Sequence, residues 1–169
     1  MKRLLSILLF IIASIIGCKK NDNIQEYSVL NSLINSRSQL ILENRFYIEN
    51  KIDYNFDTSQ ISQYLDFVKE LTPEDKRSMM SQILEKSNKS FEKTYFTNKN
   101  IKLVNDFKPT TNDYYLKFSR PIFSKDYKFS FIREYTYYWG KDTVTFYLMH
   151  KDSTGWNIYL MNDWKLIKK

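Results

Sequence analysis

Between Tyr127 and Trp139 the chain alternates with a period of two: Tyr127, Phe129, Phe131, Tyr135, Tyr137 and Trp139 fall on one side. That period belongs to a β-strand, whose successive side chains point to opposite faces. Tyr114 to Phe118, Asp142 to Lys151 and Trp156 to Ile167 alternate in the same way. Asp152-Ser153-Thr154-Gly155, between the last two runs, has the composition of a hairpin turn. Parallel neighbours need crossovers of about a dozen residues or more, so three strands joined by short turns form an antiparallel meander.

The first half has a different period. Tyr27, Leu30 and Ile34 share one helical face, with Val29 and Leu33 beside it, so Ile24 to Ile34 is a short amphipathic helix. Gln39 to Ile48, with Leu40, Ile41, Leu42, Phe46 and Ile48, reads as a strand interrupted by Glu43-Asn44-Arg45. Ile61, Tyr64, Leu65, Val68 and Leu71 recur at three and four residues and predict a helix over Ser59 to Leu71. Thr72-Pro73-Glu74-Asp75 then starts another helix: a hydroxyl N-cap, a proline where no amide is needed, and acids at the positive end of the dipole. Its inner face carries Met79, Met80, Ile83 and Leu84. The expected fold is α+β, with N-terminal helices packed on a C-terminal antiparallel meander sheet, in one domain over residues 24–169.

Scarce residue types exclude whole classes of chemistry. Glycine occurs only at Gly17, Gly140 and Gly155, so neither a G-x-G-x-x-G fingerprint nor a P-loop can be written. One His and one Cys remove zinc fingers, disulfide scaffolds and C-x-x-C redox chemistry, each of which needs several converging ligands. No cofactor is expected.

The amino terminus has its own logic. Lys2 and Arg3 precede a run of 14 residues, Leu4 to Gly17, whose only hydroxyls are Ser6 and Ser14. A bilayer helix needs about 20 apolar residues, whereas a signal-peptide core needs about 7 to 15. Residues 1–17 therefore read as a lipoprotein signal peptide. Its end, Ile15-Ile16-Gly17-Cys18, resembles the lipobox of bacterial lipoproteins, and the resemblance implies that Cys18 is acylated and becomes the first mature residue. Several acyl chains hold a protein on a membrane where one binds only marginally. The expected partner is thus a membrane, through Cys18, with residues 18–23 as lipidated cysteine and tether. Lys19 is not the Asp that resembles an inner-membrane retention signal, which favours the outer membrane.

Lys2 and Arg3 leave with the leader, so 26 basic residues become 24 against 19 acidic ones, a formal charge of +5. The lysines are scattered and no basic recognition motif accompanies them, so no nucleic-acid partner is expected.

Candidate chemistry is thin. Asp53-Tyr54-Asn55-Phe56-Asp57 matches the start of a calcium loop, but Thr58 replaces the turn glycine and Tyr64 the bidentate glutamate, so no metal site is expected. His150 is the only imidazole, and no serine sits in a G-x-S-x-G elbow. Glu134, mid-strand among aromatics with Arg133 pointing the other way, is the acid that an envelope hydrolase would use, with His150 or Asp163 beside it. An edge or solvent-facing place accounts for Glu134 more simply. Aromatics make up 17% of the chain, and alternation sends them to both faces of the sheet. One face must be core; rings left on the other would bind an envelope protein or glycan, with Tyr137, Trp139 and Tyr147 as candidate contacts.

Phe118-Ser119-Arg120-Pro121-Ile122-Phe123, followed by strands and Gly155-Trp156-Asn157-Ile158, resembles uncharacterised lipoproteins of Bacteroidota, in which a Ser-Arg-x-x-Phe segment precedes one strand and Gly-x-Trp-x-Ile the last. The resemblance implies a folding pattern and no catalytic residue. Those relatives often carry a Cys- and Gly-rich turn where this chain has Tyr138 to Asp142. The combined expectation is a lipid-anchored envelope binding module without enzymatic activity, with a small hydrolase as the alternative. An immunity-type lipoprotein that occupies a toxin is a third reading.

Overall fold

The computed structural model describes residues 23–37, 41, 45–52, 58–84 and 90–165. The leader, Cys18 with its tether up to Asp22, and the Asp53 to Asp57 run lie outside them, whereas Asn23, the last residue of the expected tether, already belongs to a helix. Helix α1 covers residues 23–35, followed by strand β1 (Arg45–Glu49), helices α2 (Thr58–Asp66) and α3 (Pro73–Leu84), and strands β2 (Lys102–Val104) and β3 (Asp113–Phe118). Strands β4 (Ile122–Phe123), β5 (Phe129–Tyr138), β6 (Lys141–Asp152) and β7 (Gly155–Lys165) complete the chain order.

The fold is α+β. One sheet of seven strands runs β2-β1-β3-β5-β6-β7, with β4 also on β5. The last three strands form an antiparallel meander and β3 adds to it antiparallel. Strand β1 departs from that pattern, because it pairs parallel to both β2 and β3 and makes the sheet mixed.

Helix positions follow the apolar periodicity. Val29, Leu30, Leu33 and Ile34 of α1 are buried with Phe46, Ile48, Leu116, Phe118, Ile132, Tyr147 and Met149 on one face of the sheet. Ile61, Tyr64 and Leu65 of α2 and Met79 of α3 are buried with Phe129, Phe131, Val144, Phe146 and Leu148 on the other. Both faces of the central strands are therefore core, and Val144 to Met149 of β6 are buried without a break.

Local chemistry sets the boundaries. Helix α2 stops before the expected Leu71 because Phe67 and Val68 donate to Tyr64 and Leu65, tightening its last turn. At the start of α3 the Asp75 amide donates to Thr72 Oγ1 (3.1 Å) and the Thr72 amide to Asp75 Oδ2 (3.1 Å), a reciprocal cap. Tyr127 and Trp139 do not continue the β5 alternation: both lie outside the strand with φ of 56° and 53°. In the Ser-Arg-Pro-x-Phe segment, Ser119 takes a ladder place, its amide donating to the Arg133 carbonyl (2.8 Å) and its Oγ accepting from the Arg133 amide (2.9 Å). Arg120 Nε reaches back to Glu26 on α1 (2.5 Å). Those residues join β3 to β5 and α1 to the sheet.

Candidate functional site

The α2–α3 layer covers only part of its face. Alternation in β5 carries the Phe129–Phe131 side on to Tyr135 and Tyr137, which are half-buried, and register extends the row across the sheet. Tyr137 stands opposite Tyr115 in β3, Tyr115 opposite Tyr47 in β1, and Tyr47 opposite Lys102 in β2. Phe107 lies over this row, its ring 4.4 Å from that of Tyr47 and 5.8 Å from that of Tyr115. Lys117, opposite Tyr135, holds Nζ 5.7 Å from the Tyr115 ring and 5.8 Å from the Tyr135 ring, and Lys102 Nζ lies 5.7 Å from the Tyr47 ring. The result is a strip of aromatic faces with ammonium groups held against them by the ring quadrupoles.

Hydroxyl groups fix the rings. Tyr115 Oη donates to Glu49 Oε2 (2.6 Å) and Tyr135 Oη to Asp142 Oδ1 (2.5 Å). Burial raises both phenol pKa values above their ordinary range, and the accepting carboxylates raise them further. Both therefore stay protonated at neutral pH. The carboxylates are acceptors for these phenols, and Glu49 also takes the Asp106 amide (3.2 Å). The strip thus combines rigid apolar area, phenols held by carboxylates and positive charge.

Of the residues singled out from sequence, Tyr137 belongs to this strip. Trp139 sits in the β5–β6 turn, 70% exposed, its ring 5.9 Å from that of Tyr138. Tyr147 is a core residue on the α1 face, 4% exposed, so its ring is not a contact surface.

Glu134 is neither at an edge nor solvent-facing; it is 1% exposed on the α1 face. Arg37, just past the end of α1, donates through Nη1 to its Oε2 (2.7 Å) and through Nη2 to Tyr147 Oη, and Thr136 Oγ1 donates to Oε1 (2.7 Å). Burial opposes the Arg37 charge, but the Glu134 carboxylate together with Tyr147 and Tyr114 more than offsets it, and the guanidinium stays charged. Arg133 points to the other face. His150 lies on the α2–α3 face, against Phe129 (4.9 Å) and Tyr159 (6.2 Å), so the sheet separates it from Glu134. Asp163 pairs with Thr145 in the sheet, and its side chain is outside the described set.

A cavity of about 250 Å³ beside the start of α1 is bordered by Glu26, Tyr27, Leu30 and Glu92, but Glu26 is engaged by Arg120. Among the described residues, no three His, Cys, Asp or Glu side chains converge on a point that could hold a metal ion. No helix among them is long and apolar enough to cross a membrane.

The sequence reading passed over Tyr47, Lys102, Phe107, Tyr115 and Lys117. Arg45-Phe46-Tyr47-Ile48-Glu49 and Asp113-Tyr114-Tyr115-Leu116-Lys117 do alternate, which separates the strip residues from the core ones. The parallel pairing that lines them up carries no local signal. The chain matches no protein-family model, no curated protein and no solved structure.

Proposed function

We propose that this protein is a lipid-anchored binding module of the bacterial envelope, held at the outer membrane through acylated Cys18. It presents Tyr47, Phe107 and Tyr137, the half-buried rings that surround the buried Tyr115, to an envelope protein. The observation that carries the binding reading is the strip itself. Several half-buried rings at low entropy cost, backed by Lys102 and Lys117, are the composition of an interface centre and are not needed to close either core. Its layout along the pleat of a sheet suits the flat surface of a protein partner. The lipobox at Ile15 to Cys18 supports the anchor, and the Ser119 to Phe123 and Gly155 to Ile158 segments support kinship with the Bacteroidota lipoproteins. For the hydrolase alternative, Glu134 and His150 offer no shared site.

Two experiments test the two parts. Palmitate labelling and fractionation should show label and membrane retention in the wild type and neither in Cys18→Ala; equal label in both removes the anchor. A photo-crosslinking residue at Tyr137 should capture one envelope protein, and Lys117→Glu should weaken that complex about tenfold or more. Capture of nothing by Tyr137 and an unchanged Lys117→Glu complex remove the strip as the contact.

A further inference from the structure

Helix α1 enters the fold at one pole of the sheet. Gln25 accepts a hydrogen bond from Lys151 Nζ (3.1 Å) near the end of β6, and Glu26 is held by Arg120 just past β3. The Lys151 amide donates in turn to the Lys128 carbonyl (2.8 Å), just before β5. The ends of β3 and β6 and the start of β5 therefore gather around the first turn of α1. The β5–β6 turn, with Trp139, lies at the other end of the ten-residue β5, so the two poles are about 30 Å apart.

We propose that the pole at the start of α1 rests on the phospholipid headgroups, so that Tyr137, at the far end of β5, points away from the bilayer. The inference relies on the acylation of Cys18 proposed above. Four residues separate Cys18 from Asn23, so even a fully extended tether keeps the start of α1 within about 18 Å of Cys18. A body held this close at one pole must turn some surface to the bilayer, and this pole carries the groups that suit it. Ile24 is 48% and Tyr127 41% exposed there, with Lys125 and Lys128 in the same turn as Tyr127. Apolar rings and ammonium groups on long stems settle at headgroup level. Tyr127 also has φ of 56°, a strained backbone for an aromatic residue, and strain held at an exposed turn points to a use for the ring. Lys125 pairs with Glu74 (2.6 Å) and Lys128 with Asp126 (3.1 Å), but all four side chains are exposed, and such pairs contribute so little that lipid phosphates can replace them. Lying flat on α1 is less suited. The outward residues Ser28, Asn31, Ser32 and Asn35 carry neither charge nor ring, and both asparagines are bonded to the Tyr95 and Thr97 segment.

Cys18 is the only cysteine, so once it is acylated a single introduced thiol takes a fluorescent label uniquely. The test uses the full acylated chain in vesicles of phosphatidylethanolamine and phosphatidylglycerol that contain a lipid with a nitroxide on its headgroup. A label at Ser153→Cys, in the exposed β6–β7 turn, should be quenched about threefold more than one at Lys141→Cys, in the exposed β5–β6 turn. Tyr127→Asn, which fits a positive φ, and Lys128→Glu should each keep the melting temperature and the recovery with vesicles, yet lower the quenching at 153 by about half. Equal quenching at the two turns in an acylated, vesicle-bound chain, or quenching at 153 indifferent to both variants, would overturn the orientation and leave the anchor standing. A Cys18 peptide without acyl mass, from a chain that does not float with the vesicles, would instead remove the anchor and the orientation with it.

Discussion

A carboxylate that is 1% exposed inside a sheet persists only when its charge is matched, and Arg37 together with Thr136 matches that of Glu134. Removing one partner of such a pair leaves the other charge buried. Arg37→Met should therefore destabilise the protein by about 3 to 5 kcal/mol, and Glu134→Gln by a similar amount. Arg37→Met combined with Glu134→Leu should recover most of that loss, because the desolvation cost leaves with both charges. Urea unfolding of the three variants measures this; a double variant no more stable than the singles would mean that Tyr147 and Thr136 depend on the pair for their own order. The acid was visible in the sequence as an oddity among aromatics. Its partner was not, since Arg37 stands 97 residues away and in a different element, beyond any spacing rule.

Elements were legible where their signals are local and hidden where they depend on neighbours. Thr72-Pro73 announced the start of α3 because capping needs only four consecutive residues, and Thr72→Ala should cost about 1 kcal/mol in thermal unfolding. The β5–β6 hairpin shows the opposite case. Trp139 and Gly140 both have positive φ, 53° and 70°, the turn in which Asn-Gly is favoured and a bulky side chain is strained. Reading Trp139 as one more strand residue followed from the period and missed the reversal. Trp139→Asn should stabilise the chain by about 1 kcal/mol. If the exposed indole also serves the contact surface, the same variant should bind the partner captured at Tyr137 less tightly. A higher melting temperature with unchanged binding would assign the residue to the turn alone. Strand β1 lies between β2 and β3 in parallel register, and parallel partners are chosen by crossovers and packing, not by the strand's own residues. The aromatic strip, assembled across those pairings, was therefore the least legible feature.

The two apolar clusters lie on opposite faces of one sheet, and strands β5 and β6 contribute alternate residues to both. Ile132 and Phe131 are neighbours in the chain but belong to different clusters, as do Tyr147 and Phe146. Neither cluster can lose its sheet without exposing the other, so the layers should unfold together despite having separate helices. Leu65→Ala, in α2, creates a cavity in the cluster opposite α1 and should cost about 2 to 5 kcal/mol. Trp156 is buried in the α1 cluster and makes no part of the cavity, so with Trp139 and Trp164 replaced by Phe in both proteins compared its emission reports the far face. In Leu65→Ala the urea midpoint read from the blue-shifted Trp156 emission should fall by the same amount as that read from far-ultraviolet circular dichroism. An emission midpoint that stays at the wild-type value while the helical signal moves would show that α2 and α3 peel from a sheet that α1 alone can hold, leaving Phe129, Phe131 and Phe146 in water. Burying each of those rings is worth about 1.5 to 3 kcal/mol, which is why the shared sheet binds the fate of the two layers.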